Sequence, residues 1–132
     1  MSGENVEIVR RIYEEGLMDD PERLLGLLTD DVEYVNPPDA VEPGTRRGHA
    51  EVARAMRNSA TSFDSTRNEL RELFDHRETV VAAVRFHARG RGSESEIVQE
   101  EAHTWTLRDG RVARFEWGRD LRKAREAAGP SE

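Results

Sequence analysis

Residues 96–117 read EIVQEEAHTWTLRDGRVARFEW, and the fold follows from how that stretch alternates. In a strand, successive side chains point to opposite faces. The odd positions are Ile97, Gln99, Glu101, His103, Trp105 and Leu107, and the even ones are Val98, Glu100, Ala102, Thr104 and Thr106. The odd row holds the bulky apolar groups and is therefore read as facing the interior. Asp109-Gly110 is a two-residue hairpin signal. The returning strand places Ala113, Phe115 and Trp117 on one face and Val112, Arg114 and Glu116 on the other. Within the interior row lie a carboxylate and an imidazole, Glu101 and His103, two strand steps or about 7 Å apart.

Upstream, residues 79–88 place Ala82, Val84 and Phe86 on the same inner face, and residues 66–74 form a further strand. Arg89-Gly90-Arg91-Gly92-Ser93 links residues 79–88 to the long strand. The first half of the chain has a helical period instead. Val6, Val9, Ile12, Tyr13 and Leu17 step by three and four and predict a helix over 5–17. Asp19-Asp20-Pro21 ends it and starts another, with Asp20 as cap and Pro21 at the first helical position. Leu24, Leu25, Leu27 and Leu28 make that second helix short and buried, and Val32 to Asn36 read as a strand that Pro37-Pro38 ends. Residues 39–48 read as a loop. Val52, Ala55, Met56, Ser59, Ala60 and Phe63 then mark a third helix, and Asp120 caps a last one that runs to Ala128 before Gly129-Pro130. Helices followed by hairpin-linked strands give an α+β plan: a curved sheet with helices on its concave face, in a single domain over 1–132.

Composition narrows the function. Twenty basic residues against 27 acidic ones leave a net charge of −7, which repels phosphate backbones and anionic membrane surfaces. Nucleic acid and membrane are thus not expected partners. The absence of cysteine removes disulfides, thiolate metal sites and cysteine nucleophiles. The start has neither a basic stretch nor an apolar block, and the longest all-apolar run is Val80 to Val84, so a soluble cytoplasmic protein is expected. The four histidines, His49, His76, His87 and His103, fall in separate elements without ligand spacing, so no metal is expected.

Glu101 beside His103 is an acid–base pair in an apolar setting, where desolvation and mutual charge tune proton transfer toward neutral pH. Two plainer readings stand beside it. An inward histidine also serves as a hydrogen-bonded core residue, and Glu101 faces solvent if the alternation runs the other way.

Several segments in order carry a family resemblance: Asp30-Asp31-Val32-Glu33-Tyr34-Val35-Asn36-Pro37-Pro38, Gly44-Thr45-Arg46-Arg47-Gly48-His49, and Ala102 through Val112, with Arg119-Asp120 near the end. The chain resembles the SnoaL-like polyketide cyclase family of the nuclear transport factor 2-like superfamily. The resemblance implies a cone-shaped α+β barrel, in which a bent mixed sheet wraps the N-terminal helices and leaves a pocket at the wide end. It also implies a homodimer through the outer sheet face, where Val98, Ala102, Thr104 and Thr106 lie. Where ketosteroid isomerases of the superfamily carry a general-base Asp, this chain has Asn36. Their oxyanion-binding Tyr falls at Ile12, beside Tyr13, and their second Asp falls at His103. The cyclases' polar residue and His match Glu101 and His103, while their last-strand Asp falls at Trp117.

These observations give a small-molecule pocket protein for an apolar ligand, cyclic carbonyl compounds included, with cofactor-free isomerase, cyclase or dehydratase-like chemistry. His103 is the expected acid or base and Glu101 its partner. Asn36 and Tyr13 are expected to bond ligand oxygen. Leu17, Tyr34, Met56, Phe63, Phe86, Trp105, Phe115 and Trp117 are the expected walls. The competing readings are a non-catalytic binding domain and a structural dimer whose own aromatics fill the pocket.

Overall fold

A computed structural model describes residues 2–130, with side chains from Gly3. The elements run α1 (Ser2–Glu14), a 3-10 turn (Leu17–Asp19), α2 (Pro21–Leu25), β1 (Leu28–Asn36), β2 (Gly44–Arg47), α3 (His49–Thr61), β3 (Phe63–His76), β4 (Thr79–Gly90), β5 (Glu96–Arg108), β6 (Arg111–Gly118) and α4 (Leu121–Ala128). The six strands form one curved open sheet in the order β2-β1-β6-β5-β4-β3. β1 and β6 run parallel, and every other neighbouring pair is antiparallel. The α+β class and the mixed curved sheet read from the sequence are those of the structure.

The core lies where α1 meets the inner face. Val9 and Ile12 are fully buried against Val80, Trp105, Leu107 and Val112. Asp109 and Gly110 both adopt positive φ (53° and 78°), which the β5–β6 hairpin requires of a two-residue turn with matching twist. Both predicted aspartate caps form: Asp20 accepts from the Arg23 amide and Asp120 from the Lys123 amide.

Four local expectations are corrected. Leu28 opens β1 rather than closing a helix, so β1 is longer at its start than the Val32–Asn36 strand. Residues 44–47, expected in a loop, pair with Glu33–Asn36 as an edge strand. Phe63 begins β3 instead of ending α3. A register shift in β6 places Val112, fully buried, on the inner face in place of Ala113, because the bulged residue changes the alternation.

α4 packs on the opposite face of the sheet. There Arg125 lies 3.9 Å from the Phe74 ring centroid, and Val81 is fully buried. Among the described residues no helix is long and apolar enough to cross a membrane.

Candidate functional site

The inner face of β5 and the ends of β1, β3 and β6 enclose, with the 3-10 turn, α2 and α3, a cavity of about 820 Å³. That is the size range of small-molecule sites. Its lining includes Tyr34, Asn36, Met56, Phe63, Phe86, Gln99, Glu101, His103, Trp105, Phe115 and Trp117. The odd row of β5 points inward: Ala82 faces His103, Val84 faces Glu101 and Phe86 faces Gln99 on the neighbouring strand. Ile97, the outermost member, is half exposed at the rim.

Two residues expected to meet the ligand, Leu17 as a wall and Tyr13 as a hydrogen-bonding group, do not line the cavity. Leu17 is buried in the core cluster and does not line the cavity. Tyr13 lies behind His103, and its hydroxyl is used by protein partners rather than offered to a ligand. It sits 2.6 Å from His103 Nδ1 and accepts from Trp105 Nε1 at 2.9 Å. Asn36 does line the cavity, and its amide is also tied to the protein: Oδ1 accepts from Trp117 Nε1 (2.6 Å) and Nδ2 donates to the Glu42 carbonyl (2.8 Å). Asn36 therefore fixes the Trp117 wall and the loop after β1.

His103 and Glu101 meet: Nε2 lies 2.8 Å from Oε1, with the side chains 2% and 9% exposed. The other carboxylate oxygen accepts from Gln99 Nε2 at 2.6 Å. Gln99 Oε1 accepts from Arg119 Nε at 3.1 Å, and Arg119 Nη1 donates to Asp39 at 2.7 Å. The Arg119 guanidinium also lies 5.2 Å from the Trp117 ring centroid. A line of polar contacts thus runs along one strand from the Asp39 loop to the helix α1 layer, with Glu101 at its middle.

The two groups differ in how many of their polar atoms the protein occupies. Both ring nitrogens of His103 are occupied, by Glu101 and by Tyr13, so the imidazole has no free nitrogen for a ligand. Each Glu101 oxygen has a single protein donor and keeps a lone pair. Neither donor is a lysine or arginine, so the carboxylate is held without direct contact to a fixed positive charge.

The Tyr34 hydroxyl has no hydrogen-bond partner among the described residues, and its ring leans on Phe115 at 5.4 Å. Burial pushes its ionisation up to about 12, and the nearby Glu101 charge adds to this against the opposing pull of Arg46. Tyr34 is thus a protonated donor facing the cavity. Burial raises Tyr13 well above the usual phenol range, with Trp105 opposing and Glu101 reinforcing.

Sequence reasoning missed three polar members of the site. Gln99 sits in the inner row, where alternation marks its direction but not its bond to Glu101. Arg119 lies just past the β6 strand, beyond the alternation that marks inward positions. Asp19 belongs by sequence to a helix break, a pattern that carries no sign of a site. It lines the cavity, accepts from Thr66 Oγ1 at 3.4 Å, and has its carboxyl raised by lost solvent, with that hydrogen bond opposing.

A model of the SnoaL-like domain family matches residues 9–115. No curated protein matches the chain. Similar solved structures include TerC co-crystallised with polyporic acid: 25% identity, 96% of this chain, 99% of that one, TM-score 0.75. An NTF2-like protein of unknown function from Burkholderia pseudomallei K96243 shares 23% identity over 96% and 98% of the chains, with TM-score 0.78. A protein with a ketosteroid isomerase-like fold from Catenulispora acidiphila DSM 44928, in complex with trimethylamine, shares 14% identity over 93% and 92%, with TM-score 0.75.

Proposed function

The chain belongs to the SnoaL-like domain family, and from that premise we propose that it binds a small, largely apolar carbonyl compound and moves a proton next to the carbonyl without a cofactor. The observation that carries this reading is Glu101. It is a nearly buried carboxylate at the cavity surface, held by the side chains of His103 and Gln99, with a lone pair left on each oxygen. A buried carboxylate with no lysine or arginine in contact is costly to maintain, and proton acceptance is a use that fits it.

In this mechanism Glu101 takes the proton from the carbon beside the carbonyl. The Tyr34 hydroxyl donates to the carbonyl oxygen as charge develops there, and its high ionisation range keeps it a donor. Phe115, Trp117, Phe86 and Phe63 exclude water and so strengthen both contacts. Return of the proton to another carbon of the enolate gives isomerisation. Attack of the enolate carbon on a second carbonyl of the same compound forms the ring bond of a cyclisation, and the proton goes to the new alkoxide. Delivery of the proton to a hydroxyl on the next carbon, which departs as water while the carbon–carbon double bond forms, gives dehydration. TerC with polyporic acid and the Catenulispora protein with trimethylamine support small-molecule occupancy of this fold.

The test needs no known product. A panel of cyclic ketones, steroids and polyketides is incubated in deuterated water and followed by proton NMR. Deuterium should enter beside the carbonyl with the wild type and at least 100-fold more slowly with Glu101→Gln, the size of a general-base contribution. Tryptophan fluorescence that responds to a compound with no deuterium exchange in any case selects the binding-only reading. One observation favours that second reading: Asn36 and Trp117, at positions where related enzymes hold acids, are bonded to each other.

Assembly as a homodimer through the outer sheet face belongs to the same proposal. Val98 is half exposed there, and Thr104 and Thr106 are partly exposed, while Ala102 is already buried within the chain and is not available to a partner. Sedimentation equilibrium returning only 15.0 kDa removes the dimer.

A further inference from the structure

We propose that Tyr13, oriented by Trp105, dictates which nitrogen of His103 carries the proton, and so makes the imidazole a standing donor to Glu101 instead of a group that exchanges protons with a ligand. The proposal deepens the acid–base reading above by assigning positioning roles to Tyr13 and His103.

Three donors and their acceptors sit in a row: Trp105 Nε1 to Tyr13 oxygen at 2.9 Å, Tyr13 oxygen to His103 Nδ1 at 2.6 Å, and His103 Nε2 to Glu101 Oε1 at 2.8 Å. The indole can only donate. Tyr13 oxygen therefore accepts from Trp105, and its own proton needs an acceptor. His103 Nδ1 is the one within reach. With Nδ1 bare, the neutral ring carries its proton on Nε2, which then points at the carboxylate. Every donor is satisfied, and all of them point one way, toward Glu101.

The other proton placements each leave a group stranded. A proton on Nδ1 would have to share Tyr13 oxygen with the indole. The phenol proton would then have no acceptor in a site where His103 is 2% exposed. An unmade bond of that kind costs about 1–3 kcal/mol. The neighbouring rings also hold the imidazole plane. Tyr13 is stacked at 5.9 Å with an interplanar angle of 22°, and Phe115 stands edge-on at 5.2 Å. A second line of donors converges from the other side, from Arg119 through Gln99. Hydrogen bonds aligned in one direction polarise one another, and here both lines end at the same carboxylate.

Long-range nitrogen–proton NMR of histidine-labelled protein reads the tautomer directly, with the His103 signals assigned by their loss in His103→Asn. The neutral ring should show a protonated Nε2 and a bare Nδ1. Glu101→Ala should leave that pattern in place, because Tyr13 alone suffices to set it. The double variant Tyr13→Phe with Glu101→Ala should show both tautomers. A proton on Nδ1 in the wild type overturns the proposal outright. A switch to Nδ1 in Glu101→Ala overturns it as well, by making the carboxylate the determinant. None of these measurements depends on turnover. A correct tautomer without deuterium exchange therefore sinks the acid–base reading alone, and exchange with the proton on Nδ1 sinks only this proposal.

Discussion

Tyr13 and Tyr34 are the only tyrosines in the chain, and burial holds both above the usual phenol range. An alkaline titration of phenolate absorbance should therefore show almost nothing near the ordinary value of about 10. In Tyr13→Phe a single transition should remain, at about 12. Stability follows with a definite sign. A group whose folded value is raised stabilises the fold fully below its unfolded value and loses that contribution as pH climbs through the folded one. The urea midpoint of the wild type should fall between about pH 10 and pH 12, and Tyr34→Phe should flatten part of that fall. A midpoint that drops equally in both proteins would show that Tyr34 is not the group responsible. At this scale the inner row of β5 was readable because alternation depends only on the backbone: Glu101, His103 and Trp105 all face inward. The partners were not readable. A helical stripe says that Tyr13 is buried, but not that its hydroxyl meets an imidazole 90 residues away. By the same limit, nothing local says that the Asn36 amide is bonded to Trp117 and to the Glu42 carbonyl.

α4 is eight residues long and has no fully buried side chain, so its place depends on its ends and on a few contacts. The Asp120 carboxylate caps it through the Lys123 amide at 3.0 Å. Asp120→Ala should lower global stability by about 1 kcal/mol, the usual size of a lost cap. Hydrogen exchange should quicken first in residues 121–128, since short terminal helices open below the global limit. If exchange rises instead across β5, the helix is more tightly coupled to the sheet than its contacts indicate. The caps were legible because their chemistry is local: an aspartate preceding a helical run. β2 was not, for an equally physical reason. Gly44-Thr45-Arg46-Arg47 is too short for an apolar alternation, and edge strands carry charge to resist pairing with other chains. Its evidence lies across the sheet, where Arg47 pairs with Glu33 at the matching register position. The β6 bulge escaped in the same way. Val112 and Ala113 are both apolar, so only pairing with β5 decides which of them faces inward.

For the molecule as a whole, the cavity links occupancy to stability. About 820 Å³ between the sheet and α3 is bounded by residues that also form the core, Leu24, Val32, Val52, Trp105 and Val112 among them. A compound that enters it binds the folded chain and not the unfolded one. At a free concentration of 100 times its Kd, such a compound adds about 2.7 kcal/mol. A domain of this length gains about 3–4 °C in Tm per kcal/mol, so the expected rise is about 10 °C. Binding to an outer surface would raise Tm as well, and a cavity-filling variant tells the two apart. Ala55 lines the cavity from α3 and is only partly exposed. Ala55→Phe places a ring in the empty space with little to displace, so the unliganded Tm should hold or rise. The same compound should then lose most of its 10 °C effect. A compound that shifts wild type and Ala55→Phe equally is bound elsewhere, and the cavity between α3 and β5 would no longer be the site where the molecule meets its ligand.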